Sequence, residues 1–327
     1  MTSSAIPPEA GELADLVERF LSHKRSLGYR YCVEAEQLAR FVRFAQAYRI
    51  VDQVIPAALV DGWTARIPGE RWSTQRIRVS TLQVFLQWVR VQGYQVTLPA
   101  PLQRQSSSYV PYIFTETEMQ RFFQACDGLA VYPRTDKHLM LPVFFRVLYG
   151  CGLRVSEACH LRISDVDLEQ GILTIHAGKG GKDWLVPVSP SLRDGLQRWA
   201  IHLRTRQADP VWFFETRNGQ PPSRHWVYHQ FRQCLHRAGI PHAGRGTGPR
   251  VHDIRHSFCV RSLKHLVDSG LDVYSALPIL AAYVGHASPA ATEGYVRLTV
   301  DLYPEILAAV TQATGSTIPE VHDDQTD

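Results

Sequence analysis

The sequence predicts a mainly α-helical protein with a small β-sheet, arranged as a helical N-terminal domain followed by an α+β domain. Three observations predict it. Apolar residues recur at helical spacing through roughly the first hundred residues; the pattern breaks over residues 97–112; beyond the break only two short runs read as strands. With 327 residues, 45% of them hydrophobic, the chain can build two cores.

The first helix is expected over Glu12 to Leu27, where Leu13, Leu16, Val17, Phe20 and Leu21 form one stripe and Gly28 stands at the C-terminal cap. A second is expected from Val33 to Tyr48, a third from Ala57 to Ala65 after Pro56, and a fourth from Thr74 to Val91 with Leu82, Phe85, Trp88 and Val89 inward. This sets a domain at 1–96. Leu98-Pro99-Ala100-Pro101, then Gln105-Ser106-Ser107-Ser108 and Pro111, make residues 97–112 a linker. Thr115-Glu116-Thr117-Glu118 is a capping-box pattern that opens the second domain, 113–312, and the dense apolar run Leu139 to Leu148 predicts its buried central helix. Ile172 to His176 and Trp184 to Val188 read as a hairpin across Gly178-Lys179-Gly180-Gly181-Lys182, and helices resume at Ser191. Tyr303 to Val310 reads as a short apolar helix, and 313–327 as a flexible acidic tail. No internal repeat is found.

Charge carries a further hint. The net charge is only +4, but the cations are five lysines against 30 arginines, and arginine's planar fork is suited to phosphate oxygens. The last fifteen residues hold Glu320, Asp323, Asp324 and Asp327 and no Lys or Arg, so the rest of the chain stands at +8, which favours a polyanionic partner or simply solubility. The six cysteines include no Cys-x-x-Cys pair, which argues against a thiolate zinc site or a disulfide framework and for reduced thiols. The N-terminus has no basic stretch leading into an apolar one, and no run of about 18 apolar residues occurs, so a soluble, cytoplasmic protein is expected.

Five places bear chemistry. Arg71 to Arg78 opens the fourth helix with Arg71, Thr74, Arg76 and Arg78, either a phosphate-contacting surface or a solvated polar face. In Gly152-Leu153-Arg154-Val155-Ser156-Glu157, Arg154 and Glu157 share one turn; they pair structurally, or Glu157 holds the guanidinium toward an anion. Lys179 and Lys182 sit in the glycine-rich hairpin. In Arg250-Val251-His252-Asp253-Ile254-Arg255-His256, helical spacing sets His252 and Arg255 on one face, able to grip one phosphate. The His252/His256 spacing also fits zinc, but Asp253 stands where metalloprotease helices need Glu and a guanidinium lies between the ligands, so no metal is expected. Last come Gly285-His286 and, nine residues later, Tyr295.

Taken together and in order, these residues resemble the tyrosine recombinases, the phage-integrase-like site-specific recombinases. Arg154, Lys179, His252, Arg255, His286 and Tyr295 fill the six positions of that family's pattern. The resemblance covers about Thr115 to Thr311, and the helical region before it looks like the family's SAM-like core-binding domain. It implies a DNA strand transferase without nucleotide or metal cofactor. Tyr295 attacks phosphorus to give a 3′-phosphotyrosyl link and a free 5′-hydroxyl. Arg154 and Arg255 neutralise the non-bridging oxygens, His286 adds a hydrogen bond, and Glu157 supports the guanidinium groups. His252 is the candidate base and Lys179 the acid that protonates the leaving oxygen. Arg71, Thr74, Arg76, Arg78, Lys182 and Arg250 are the candidate DNA contacts. The implied partners are double-stranded DNA with specific core sites, three further copies of the chain in a tetramer that works through a Holliday junction, and sister recombinases or accessory proteins. Integration, excision or transposition of a mobile element on the bacterial nucleoid is the expected setting. A type IB topoisomerase-like enzyme and a non-catalytic DNA-binding accessory protein are the alternatives.

Overall fold

The computed structural model describes residues 11–103, 110–176, 183–206, 209–244, 248–285 and 295. The chain divides into two compact units, Met1–Ser108 and Tyr109–Asp327, the division falling inside the segment expected to link two domains.

In the first unit, α1 (Gly11–Ser26), α2 (Cys32–Ala45), α3 (Ala57–Thr64) and α4 (Trp72–Val91) enclose one core. α1 stops where Gly28 takes a φ of 85°, a left-handed turn that costs glycine little, and the amides of Gly28 and Tyr29 close back on the carbonyls of Arg25 and Lys24 at 2.9 and 3.1 Å. Phe20, Phe41 and Phe85 meet edge to face in the centre. Two short strands the sequence did not announce, β1 (Val54–Ile55) and β2 (Gln95–Val96), pair in parallel.

α4 starts two residues earlier than its periodicity predicts, because the Arg71 carbonyl already accepts from the amides of Thr74 and Gln75. Gln75, Arg78, Val79, Leu82, Phe85, Leu86 and Val89 then form the buried stripe, and this corrects the expectation for Arg78. Arg78 is 4% exposed: it donates to the Glu70 carboxylate at 3.1 and 2.6 Å and to the Ala65 carbonyl at 3.0 Å, beneath the Trp63 ring. It is not presented to DNA in this fold. Arg71 and Thr74 are exposed and Arg76 half-buried.

The second unit is built on α6 (Lys137–Cys151), whose Leu141, Phe144, Phe145, Val147 and Cys151 are fully buried. Against it pack α5 (Glu116–Asp127), α8 (Pro190–Arg206) and α10 (Val251–Asp268). Both halves of the capping box at α5 form, Thr115 Oγ1 accepting from the Glu118 amide and Glu118 from the Thr115 amide. α7 (Val155–Cys159), α9 (Arg224–Arg237) and α11 (Val273–Tyr283) complete the helices. The hairpin strands are β4 (Ile172–Ile175) and β5 (Trp184–Pro187), antiparallel with Ile175 opposite Trp184; a further strand, β3 (Val166–Asp167), adds to β4. Lys179 and Lys182, His286, the segment Tyr303 to Val310 and the tail 313–327 lie outside the described residues.

Candidate active site

Two helix ends and the start of a third helix meet around two arginines. α6 ends at Gly152, φ 61°, and Arg154 follows as the N-cap of α7; α11 ends at Val284 and Gly285, φ 65°; Arg255 lies on the second turn of α10. Terminal carbonyls of a helix have no partner within it and carry the negative end of its dipole, so they attract cations. Arg255 uses them fully, donating from Nη1 to the Gly152 carbonyl at 2.6 Å and from Nη2 to the Val284 carbonyl at 2.7 Å. Arg154 Nη2 reaches the Gly285 carbonyl at 3.5 Å.

Both glycines are required by the close packing here. A Cβ on Gly152 would stand 2.5 Å from the Phe258 ring, and one on Gly285 would stand 2.6 Å from the ring of Trp184, the first residue of β5. The hairpin therefore emerges beside the end of α11, the segment that leads into Gly285-His286.

Glu157 ties the arginines together. Its Oε1 accepts from Arg154 Nη1 at 2.6 Å, its Oε2 accepts from the Arg154 amide at 2.8 Å, and that same oxygen lies 4.0 Å from Arg255 Nη1. The structural pair of the Arg154–Glu157 turn forms, and Arg154 keeps 19% of its side chain exposed. Among the described residues one carboxylate faces two guanidinium groups, so positive charge is in excess there. Burial, and next the charge of Arg154, makes the Arg255 guanidinium less basic than an ordinary arginine; arginine remains charged all the same.

Depth separates the pair expected to share a phosphate. His252 is exposed on the first turn of α10, whereas Arg255 is 1% exposed, because Val251, Ile254, Arg255 and Cys259 form the inward stripe of that helix. Arg250, at the N-cap, is exposed. Tyr295 is 5% exposed and packs with Cys259, Leu263 and Leu280. Its hydroxyl lies 3.2 Å from Nδ1 of His256, and Cys259 and Arg255 also interact with it. Burial, then the Cys259 thiol, pushes the phenol above the usual tyrosine value; burial likewise pushes the Cys259 thiol up to about 11.

Sequence reasoning missed three features. His256 figured there only as half of a rejected zinc pair, and Cys259 only as one of six scattered cysteines; each lies one helical turn along from a motif residue, His252 and Arg255, and meets the phenol only when Tyr295 packs on α10. The third is α9, where Arg224, His225, His229, Arg232, His236 and Arg237 are all exposed and no acidic residue occurs in 14. Arg232, His236 and Arg237, with Lys137 and His242, line a cavity of about 950 Å³. The absence of acids was legible, but which face of the helix is wet was not. Among the described residues no group of three metal-ligating side chains is assembled, and no helix is long and apolar enough to cross a membrane.

Comparison with known proteins adds the context. The phage integrase family matches residues 113–301. The tyrosine recombinase XerD of Neisseria meningitidis serogroup B is 27% identical over 289 residues, 86% of this chain and 90% of that protein. Two solved structures share the fold. The XerH site-specific recombinase, in a post-cleavage complex with palindromic difH substrate, gives a TM-score of 0.61 at 19% identity over 95% of this chain and 91% of that one. The Tn1549 transposon integrase, in complex with transposon right end DNA, gives 0.61 at 18% identity over 90% of this chain and 99% of that one.

Proposed function

This chain belongs to the phage integrase family, the tyrosine recombinases, which are site-specific recombinases acting as DNA strand transferases, and we propose that it cuts and rejoins double-stranded DNA through a phosphotyrosine on Tyr295. The observation that best supports this reading is the excess of positive charge around Glu157 with the Tyr295 hydroxyl interacting with one of the two arginines.

A phosphodiester resists nucleophiles because its own oxygens are negative. Arg154, the exposed member, takes a non-bridging oxygen, and Arg255 supplies fixed charge beneath it; both are already oriented by carbonyls and Glu157, so little reorganisation is needed as charge builds on the pentacoordinate phosphorus. The phenol oxygen attacks phosphorus, the bond to the 5′-oxygen breaks, and Lys179 protonates the leaving oxygen. His286 adds a hydrogen bond to the phosphoryl group, and His252 is the base that the family pattern supplies. The covalent link conserves the bond for rejoining to a second strand, so no nucleotide is consumed.

The catalytic domain, 113–312, works with a core-binding domain, 1–96, that holds the duplex at specific core sites. Arg71, Thr74 and Arg76 at the start of α4, Arg250, Lys182 and the wet face of α9 contact the phosphate backbone. Strand exchange between two duplexes needs four active sites, hence a tetramer on DNA that passes through a Holliday junction, with sister recombinases or accessory proteins setting direction. Moving a mobile element by integration, excision or transposition in the bacterial cytoplasm is the setting we propose.

The test is covalent trapping. Wild type and Tyr295→Phe are incubated with nicked suicide DNA drawn from the flanks of the gene, denatured and resolved on a gel. A protein–DNA adduct with wild type alone is expected; no adduct on a DNA the protein binds would remove the strand-transfer reading.

A further inference from the structure

We propose that His256, and not His252, takes the proton from Tyr295 when the tyrosine attacks. This rests on Tyr295 being the nucleophile. The family pattern offers His252 as the base, but in this chain His252 is exposed, and its ring stands edge-on to His256 with centroids 4.7 Å apart. His256 lies between it and the phenol: half-buried, 3.2 Å from the Tyr295 hydroxyl through Nδ1, and with its ring 5.6 Å from the tyrosine ring. A base must be within hydrogen-bond reach of the proton it removes, and that proton is on the Tyr295 oxygen.

The surroundings fit the task. The groups facing His256 are Asp253, Arg255 and His252 from its own helix, and Tyr295 from beyond α11. Burial lowers its basicity below the ordinary histidine value, with Arg255 adding to the effect and Asp253 opposing it, so at neutral pH the ring is uncharged and holds an open lone pair. With the tautomer that carries hydrogen on Nε2, Nδ1 accepts from the phenol. In the step itself the Tyr295 O–H bond breaks, its proton moves to Nδ1 to give an imidazolium, the freed electron pair forms the O–P bond, and the 5′-oxygen leaves with a proton from Lys179. Rejoining runs the same transfers backwards. Because burial keeps Tyr295 protonated as well, transfer awaits the phosphate that the reaction brings.

The experiment measures single-turnover adduct formation on the nicked suicide DNA across a pH series, for wild type, Tyr295→Phe, His252→Asn, His256→Asn and His256→Ala, each first checked for binding to that DNA. Asparagine keeps a hydrogen-bonding atom near the Nδ1 position but is not a base. His256→Asn is expected to slow adduct formation by about 10²-fold or more at neutral pH, with the deficit narrowing as hydroxide takes over at higher pH, and added imidazole should speed His256→Ala. His252→Asn should lose less and keep the wild-type profile. The proposal is overturned by a His256→Asn rate equal to wild type, or by a loss that is flat with pH and untouched by imidazole, since a packing residue behaves that way. If Tyr295→Phe forms as much adduct as wild type, the nucleophile assignment itself fails, and this inference with it.

Discussion

Two buried arginine–glutamate pairs, one in each compact unit, have opposite designs. In the first unit Glu70 serves Arg78 alone among the described residues, a backbone carbonyl and the Trp63 face take the rest of the guanidinium, and the pair is sealed at 4% and 10% exposure. In the second, Glu157 is divided between Arg154 and Arg255, and Arg154 stays 19% exposed. A third cluster in the same unit sharpens the contrast: Asp136 also meets two arginines, Arg206 and Arg217, but Arg206 turns to Glu215 as well, at 3.6 Å, so charge is balanced. Removing one partner of a balanced buried pair destabilises the fold, because it leaves an uncompensated buried charge. An unbalanced, partly open one keeps charge in reserve, which is what the proposed strand-transfer reaction asks of Arg154 and Arg255.

The comparison breaks most visibly if the arginines are exchanged for weaker or absent cations. Arg154→Lys should lower adduct formation by about 10²- to 10³-fold with the thermal midpoint nearly unchanged, because one ammonium cannot replace the fork at a developing charge. Arg78→Ala should do the reverse: a loss of about 3–5 kcal/mol in urea unfolding from the stranded Glu70 carboxylate, and normal cleavage chemistry in the fraction that remains folded. A strong cleavage defect in Arg78→Ala at temperatures where it is fully folded would undo the distinction.

Gly152→Ala should cost about 2 kcal/mol or more, since alanine pays for the left-handed backbone and its methyl meets Phe258. It should also slow cleavage, because the displaced carbonyl is the one that holds Arg255. Asp136→Asn should lose about 2 kcal/mol at neutral pH. Burial opposes ionisation of Asp136, but Arg217 and Arg206 outweigh it and hold the carboxyl at about 2. The folded value is depressed, so its contribution is complete above about pH 4, the unfolded value, and disappears as pH falls through about 2; wild type and variant should converge over that window. The smallest effect is expected on the basic face of α9, where Arg232→Ala should weaken DNA binding several-fold and reduce the salt slope by about one.

Much of this was legible along the chain. Helical periodicity located α1, α3 and α4 to within a residue or two, because an apolar stripe of period 3.6 is a local signal that packing only confirms. The capping box at Thr115 and the turn at Gly28 formed as their residue types dictate. β1, β2 and β3 were not legible: strands of two residues carry no alternation to read. Arg78 was misread for a different reason. Its segment looks polar, and only the phase of the helix against Val79, Leu82 and Phe85 turns that arginine inward to Glu70.

By itself the sequence determined the helical class and the ordered set from Arg154 to Tyr295 that marks the family, since residue type and spacing are properties of the chain. The tertiary structure decided what those residues touch. Gly152 and Glu157 lie far in sequence from Val284 and Gly285, and only the meeting of the ends of α6 and α11 gathers their oxygens around two guanidinium groups. The same folding set His256 rather than His252 against the phenol. Burial and hydrogen-bond geometry depend on which helix faces meet, and that is settled by packing across the core, not by any local run of residues.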